Sequence, residues 1–487
     1  MLLKELLENI EVHRIIGCTD IEISSIEFDS RRVTKNSLFI CVNGFKTSGY
    51  LYIEEAINKG AVAIISEKEI KTDKVTVIQV KNVRSEMAKL ANNFYGTPTL
   101  KLPVIGITGT NGKTSVTYMV KNILEFYGKN VGLIGTISNW IGNMQREAVR
   151  TTPEALDLQK IFSEMVKEKM DTCIMEVSSH ALELGRVDES TYIIGVFTNL
   201  TPEHLDFHDN MNNYRNAKKK LFYKTTLCNI INVDDFHGKI IAEEVKGLKT
   251  PLLTFGIKEK ADVYATNIIT DINGVSFDLH TPIGTKSFYI KIPGIFTVYN
   301  IMPAILICYV LGLSLDEICV ALNNMNGVPG RFEIIHEIKE LAVIVDYAHT
   351  PDALENILKS TKEFAQNRII TVFGCGGDRD STKRAVMGEI AGKYSDYTII
   401  TSDNPRTEDP EKITSMIEGG IKRVTDQYKI IVDRKCAIEY AIKIAEKKDI
   451  IIIAGKGHEL TQTIGKDILP FDDRKVALEI ARKEGLI

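Results

Sequence analysis

The run Val104-Ile105-Gly106-Ile107-Thr108-Gly109-Thr110-Asn111-Gly112-Lys113-Thr114-Ser115 constrains the fold of this chain more than any other feature. An apolar, β-prone stretch enters a glycine-rich turn and leaves through Lys-Thr into a helical pattern over 115–127. That layout is a nucleoside-triphosphate phosphate cradle. Glycines let the backbone wrap the phosphates, successive N–H groups point at the anion, and the helix N-terminus adds positive potential. Gly109, Thr110, Asn111, Gly112, Lys113, Thr114 and Ser115 are the expected nucleotide contacts, with Lys113 on the β- and γ-phosphates and the Thr114 hydroxyl on Mg2+. The loop departs from the general G-x-x-x-x-G-K-[ST] pattern, because Ile107 stands where its first glycine would fall. A plain turn between strand and helix does not need Gly-Lys-Thr.

A chain of 487 residues has room for about three domains of ~150 residues each. The net charge of −4 argues against a general nucleic-acid binder and still permits a local basic pocket. No apolar run approaches the ~18–20 residues that span a bilayer. The opening Met1-Leu2-Leu3-Lys4-Glu5-Leu6-Leu7-Glu8 reads as an amphipathic helix, not a signal peptide. The eight cysteines are scattered with no C-x-x-C pair, which predicts reduced thiols in a cytoplasmic protein. Cys375 lies in a loop where nothing marks a nucleophile.

The pattern along the chain predicts an α/β protein of three domains, 1–100, 101–330 and 331–487, with boundaries at Leu100-Lys101-Leu102-Pro103 and Pro329-Gly330. The first is small, with strands at 21–29, 38–42, 62–65 and 75–80 and helices near 51–59 and 83–95. The second is P-loop-type and doubly wound, with strands at 104–108, 131–135, 172–177, 193–198, 229–233 and 251–255 in a mostly parallel sheet. A β-rich insertion at 262–291 follows, with Asn273-Gly274 as its hairpin signal, and then a helical stretch over 297–325. The third is Rossmann-like, with strands at 341–346, 369–373, 397–401, 428–432 and 449–453 and a last helix at 473–485. Ligands in such sheets sit beyond the strand C-termini.

The remaining chemical groups follow strands. Glu176 and Ser178 end one strand, and His204 follows another; Glu176 and His204 are candidates to hold a divalent cation beside the phosphate cradle. Tyr214-Arg215-Asn216-Ala217-Lys218-Lys219-Lys220-Leu221-Phe222 reads either as a solvated basic face or as the setting of a functional lysine. Gly376-Gly377-Asp378-Arg379-Asp380, Ser402-Asp403-Asn404-Pro405-Arg406 and Gly455-Lys456-Gly457-His458-Glu459 suit a zwitterion site, or surface turns laced by salt bridges.

Taken together, these motifs resemble the Mur ligase family of peptidoglycan precursor synthesis over essentially the whole chain. The resemblance rests on 109–114, 176–182, 199–208, 214–222, Pro329-Gly330-Arg331, Asp346-Tyr347-Ala348-His349-Thr350-Pro351 and 455–459. It is nearest the members that add a diamino acid to UDP-N-acetylmuramoyl-L-alanyl-D-glutamate. The tetrad Asp403-Asn404-Pro405-Arg406 has the form typical of those that add meso-diaminopimelate. The resemblance implies a cytoplasmic, monomeric, ATP- and Mg2+-dependent, ADP-forming acid–amino-acid ligase. Its catalytic residues would be Lys113, Glu176, His204 and Lys218, with Lys218 carbamylated to N6-carboxylysine and a metal set of Thr114, Glu176, His204 and that carbamate. Asn300, Arg331 and Asp346 would join the loop in binding ATP. Ser30, Phe45, Lys46, Thr47, Thr151, Thr152, Ser178 and Arg186 would bind the UDP-muramoyl dipeptide, making 1–100 a uridine-binding domain. Arg379, Asp403, Asn404, Pro405, Arg406, Gly455 and Glu459 would bind diaminopimelate. Thr297 and Leu184 depart from common family residues. The implied reaction runs through an acyl phosphate and calls for hinge motion near 101–103 and 329–331. Rival readings are the same ligation with L-lysine, a folylpolyglutamate synthetase, a P-loop kinase or motor ATPase, and a non-enzymatic paralogue.

Overall fold

The computed structural model describes residues 1–44, 47–325 and 327–487. The described residues gather into two units, Met1–Thr117 with Leu124–Thr254, and Tyr118–Ile123 with Phe255–Ile487. Both are α/β, with mostly parallel sheets.

The first unit holds two sheets. The N-terminal one has five strands in the order Val12–Ile16, Thr76–Val80, Ala61–Ser66, Ser37–Ile40, Ser25–Glu27, all pairs parallel except the first. The strand expected over 21–29 shortens to Ser25–Glu27, because the Asp29 side chain accepts from Arg31 N and opens a 3-10 turn over Ser30–Arg32. The leading helix is only Leu3–Leu6, with Leu3 and Leu6 buried. Val12–Ile16 was not foreseen; four of its five residues are exposed, so it carries no apolar alternation.

At the centre of the second sheet lies Val104–Thr108, buried along its whole length between Thr172–Glu176 and Tyr192–Phe197, parallel to both. Burial on both faces is why this strand reads as one continuous apolar run. Register sets Glu176 beside Ile107 and Phe197 beside Thr108, so the loops that carry the motifs leave from one edge. Val131–Ile134 and Thr225–Asn232 extend the parallel sheet on the two sides. The hairpin Ser138–Ile141 with Met144–Glu147 adds an antiparallel margin that the sequence did not announce.

In the second unit, Val263–Asp271, Gly274–Thr281 and Gly284–Ile290 form the expected β-rich insertion, turning at Asn273-Gly274. The C-terminal sheet runs Glu333–Ile334, Ala342–Asp346, Ile450–Ala454, Ile369–Phe373, Tyr397–Ile400, Tyr428–Ile430, parallel after its first pair. A hairpin, Thr461–Ile464 with Asp467–Pro470, follows the strand Ile450–Ala454. Arg434 lies under this sheet with no exposed surface; its Nε and second terminal nitrogen each reach an oxygen of the equally buried Asp473, both at 2.8 Å. The same guanidinium donates to the strand-end carbonyl of Ala454 at 3.0 Å. Asp473→Ala leaves that charge buried without its counter-ion and is expected to cost about 3–5 kcal/mol of stability, measured by denaturant titration. A loss below about 1 kcal/mol would mean that water reaches the pair.

Among the described residues no helix is long and apolar enough to cross a membrane. Cys41, Cys173, Cys228, Cys308 and Cys375 are buried free thiols, while Cys18 and Cys436 are exposed.

Candidate active site

The strand Val104–Thr108 ends in the loop 109–112, and the helix begins at Lys113, two residues earlier than its pattern suggested. Gly109 takes φ +148°, and a Cβ there would stand 1.9 Å from Thr198 Oγ1, so the loop needs glycine at that point. The loop is braced from the next strand's exit. Thr110 N donates to Asn199 O at 2.9 Å, Asn111 N to Asn199 Oδ1 at 2.9 Å, and Thr198 Oγ1 to Asn111 O at 2.6 Å.

Two ammonium groups converge on this loop. Lys113 Nζ donates to Gly109 O at 2.9 Å and to Thr110 O at 2.8 Å. Lys218 Nζ, on the helix Met211–Lys219 and 1% exposed, donates to the same Gly109 O at 2.7 Å. Burial, with Lys113 nearby, holds the Lys218 amine well below an ordinary lysine's pKa. Its ammonium lies 4.6 Å from the centre of the Tyr214 ring, and the Tyr214 hydroxyl meets Thr110 Oγ1 at 3.2 Å. Lys219 and Lys220 instead pair with Glu244 and Glu183, at 2.9 and 2.7 Å. Of the three lysines, only Lys218 is turned into the site.

Glu176 is 1% exposed at the end of its strand. Thr114 Oγ1 donates to its Oε1 at 3.0 Å; Thr136 donates through N to Oε1 at 2.9 Å and through Oγ1 to Oε2 at 3.0 Å. Gly135 leaves room for the carboxylate, since a Cβ there would come within 2.5 Å of Oε1. Hydroxyl and carboxylate oxygens are the hard donors that Mg2+ takes, along with phosphate and water. His204 stands at φ +56° before the short helix Leu205–His208, its ring 4.7 Å from His180 and 6.3 Å from Tyr214. Partial burial, with Lys113 and Lys218 against Glu203, holds its imidazole below the ordinary value. Among the described residues no three His, Cys, Asp or Glu side chains converge as a metal cage.

The muramoyl-dipeptide candidates split. Thr152 Oγ1 donates to Glu176 O at 2.9 Å and accepts from Ser178 N at 3.0 Å, while Thr151 Oγ1 meets Thr136 Oγ1 at 3.1 Å. Arg186 reaches Thr152 O at 3.4 Å and the Glu154 carboxylate at 3.0 Å. These residues are therefore continuous with Glu176. Ser30 is buried in the N-terminal part, its hydroxyl on Glu55 at 2.8 Å, and Thr47 is exposed beside Tyr52 at 3.2 Å. Phe45 and Lys46 lie outside the described residues. Sequence reasoning missed Thr136 and Glu154; Glu154 gathers Arg84, Arg150 and Arg186 around one carboxylate.

The second unit carries the rest. Asp346 is partly buried at its strand end, which raises its pKa, and it accepts from Phe332 N and Ala348 N, both at 2.7 Å. Arg331 lies 4.6 Å over the Tyr347 ring. Asn300 is half-buried on the helix Ile295–Val310, where Thr297 Oγ1 donates to Pro293 O at 2.9 Å. Arg406 holds φ +52° and donates to Gly377 O at 2.8 Å. A Cβ on Gly376 would sit 3.0 Å from the Arg406 guanidinium and 3.8 Å from Arg379 Cγ, so both arginines flank one turn. Asp403 and Asn404 are buried, Gly377 packs under Pro405 O, and Gly455 approaches Asp403 so closely that a Cβ would lie 2.7 Å from Oδ2. Asn404 Nδ2 donates to Glu459 Oε2 at 2.7 Å. The three strand ends thus meet as their motifs suggested.

The Mur ligase middle domain matches residues 107–308, the Mur ligase glutamate ligase domain 330–457, and the Mur ligase family catalytic domain 22–95. The chain belongs to the Mur ligase family and is a ligase. It is 69% identical, over the full length of both chains, to the UDP-N-acetylmuramoyl-L-alanyl-D-glutamate--2,6-diaminopimelate ligase of Alkaliphilus oremlandii (strain OhILAs). The ligase of the same name from Clostridioides difficile (strain 630) is 50% identical, over 99% of this chain and 100% of its own. A solved structure of a ligase of that name superposes with TM-score 0.72 at 31% identity, covering 100% of this chain and 99% of the other.

Proposed function

We propose that this chain is the ATP-dependent ligase that joins meso-diaminopimelate to UDP-N-acetylmuramoyl-L-alanyl-D-glutamate in the cytoplasm. The observation that carries the reading is the convergence of Lys113 and Lys218 on Gly109 O, beside the Thr114–Glu176 bond. Its relatives' names support the substrates. Residues 1–100 take the uridine end, 101–330 the nucleotide and dipeptide, and 331–487 the amino acid.

Lys113 and the N–H groups of 109–115 hold the β- and γ-phosphates. In the second unit, Asn300, Arg331 and Asp346 are the residues assigned to the nucleotide. Ser30, Thr47, Thr151, Thr152, Ser178 and Arg186 hold the muramoyl dipeptide. One of its carboxylate oxygens attacks the γ-phosphorus, the bond to ADP breaks, and an acyl phosphate forms. The acceptor's amine then attacks the acyl carbon, loses a proton, and phosphate leaves with the acyl C–O bond's electrons. Thr114, Glu176, His204 and a carbamate on Lys218 are the groups that would hold Mg2+, and the chemistry it would supply there is charge neutralisation on the transferring phosphate. Lys218 is suited to carbamylation, because burial beside Lys113 disfavours the charged form of its amine, and a carbamate has no ammonium charge to bury. Positioning and electrostatics carry the rest of the rate.

The test is ADP release with the UDP-muramoyl dipeptide and each diamino acid in turn. Repeated turnover of ATP to ADP is expected to require both substrates, while the dipeptide alone supports at most the single turnover that forms the acyl phosphate. ADP release that ignores the dipeptide and the amino acid would instead make the chain an ATPase.

A further inference from the structure

Lys456 has no exposed surface, and nothing in its sequence motif assigns it a task. Its ammonium donates to Thr461 O at 2.6 Å, Glu459 Oε2 at 3.0 Å and Asn404 Oδ1 at 3.3 Å. Asn404 Nδ2 also donates to Glu459 Oε2. One oxygen of Glu459 is therefore occupied twice, while among the described residues no hydrogen bond reaches Oε1.

The hairpin 461–470 stands behind this node. Thr463 N donates to Asn404 Oδ1 at 2.9 Å, and Gln462 Nε2 donates to Asp403 O at 2.6 Å. Arg406 N donates to Thr463 O at 3.1 Å, and Gly465 N donates to Arg406 O at 2.6 Å. Every residue from 403 to 406 except Pro405 is thus tied to the hairpin by its backbone or its side chain. An apolar side chain would fill the volume of Lys456 without the penalty of burying a charge. What lysine adds is several donors on one nitrogen, enough to join two strand ends and the hairpin.

We infer that Lys456, backed by the hairpin 461–470, is the positioning residue of the acceptor pocket. It fixes Asn404 and Glu459 in one geometry and leaves Glu459 Oε1 to accept the incoming ammonium. This rests on the assignment of 403–406 and Glu459 to the acceptor amino acid.

Lys456→Met removes the donors at nearly constant volume. It is expected to raise KM for meso-diaminopimelate about 10- to 100-fold. KM for ATP and for the UDP-muramoyl dipeptide, and kcat at saturating acceptor, are expected to move less than about twofold. Gln462→Leu, which cuts one tie at a buried site, is expected to raise the acceptor KM about three- to tenfold with the same selectivity. Glu459→Gln tests the pocket itself. A higher acceptor KM in Glu459→Gln, with none in Lys456→Met or Gln462→Leu, overturns the inference and keeps the pocket. No change in Glu459→Gln overturns the pocket assignment, and the inference with it. Equal rises in all three KM values with a lower Tm show a merely structural role and overturn the inference. If Lys456→Met does not fold, the KM split in Gln462→Leu decides.

Discussion

Lys218→Ala is expected to lose ligation, with kcat/KM lowered by at least ~100- to 1000-fold, the scale for removing one group that stabilises transferring charge. Saturating bicarbonate is expected not to restore it, since the variant has no amine to take up CO2. Acetate is expected to restore part of the rate, because a free carboxylate supplies the oxygens that the carbamate would present. The structure sharpens the control. Lys219 is the neighbouring cation, but its ammonium pairs with Glu244 at 2.9 Å, away from Gly109. Lys219→Ala is therefore expected to stay near wild type. ADP release with both substrates measures each variant. A carbonyl signal from 13C-bicarbonate, present in the wild type and absent in Lys218→Ala, reports the modification separately from activity. Full activity in Lys218→Ala would remove Lys218 from the site, and a dead Lys219→Ala beside it would mean that the functional lysine is one residue on.

The parts of the fold that were legible are those where one segment carries its own signal. Val104–Thr108 is buried on both faces, so five consecutive positions had to be compatible with a core, and the glycines and Lys-Thr after it mark the loop. Glu176 was legible because it closes an equally buried strand. What was hidden depends on pairs far apart in the chain. Thr136 is an unremarkable threonine until Glu176 is brought to its N–H and hydroxyl. Glu154 reads as an ordinary acid before a helix until Arg84, Arg150 and Arg186 close on it. Met144–Glu147 is exposed throughout, so burial imposed no pattern on its side chains. Lys456 sat inside a recognised motif, yet its burial and its ties to Asn404 and Thr461 come only with the hairpin folded over 403–406.

The choice of amino acid follows from charge. Meso-diaminopimelate differs from L-lysine by a carboxylate on its far carbon, and a pocket for it must neutralise that group. A buried charge without a partner costs several kcal/mol. Arg406 brings a planar fork of donors suited to a carboxylate, and Arg379 flanks the same Gly376 turn. Asp403 and Glu459 offer the carboxylates that an ammonium needs. With L-lysine bound, the Arg406 guanidinium would have no substrate carboxylate to meet. A preference for meso-diaminopimelate of at least ~100-fold in kcat/KM is therefore expected, about 2.7 kcal/mol of differential transition-state binding. Arg406→Ala is expected to erase most of it by lowering diaminopimelate use, leaving the weak use of lysine little changed. Arg406 also ties Gly377 to its own loop, so Arg406→Lys separates fork from charge: it keeps the cation and loses the bidentate geometry. An intermediate preference in that variant would show that both count. Equal kcat/KM for the two amino acids in the wild-type protein would sink the arginine pocket and leave the ligase assignment standing, because the phosphate loop, Glu176 and Lys218 do not depend on which amine arrives.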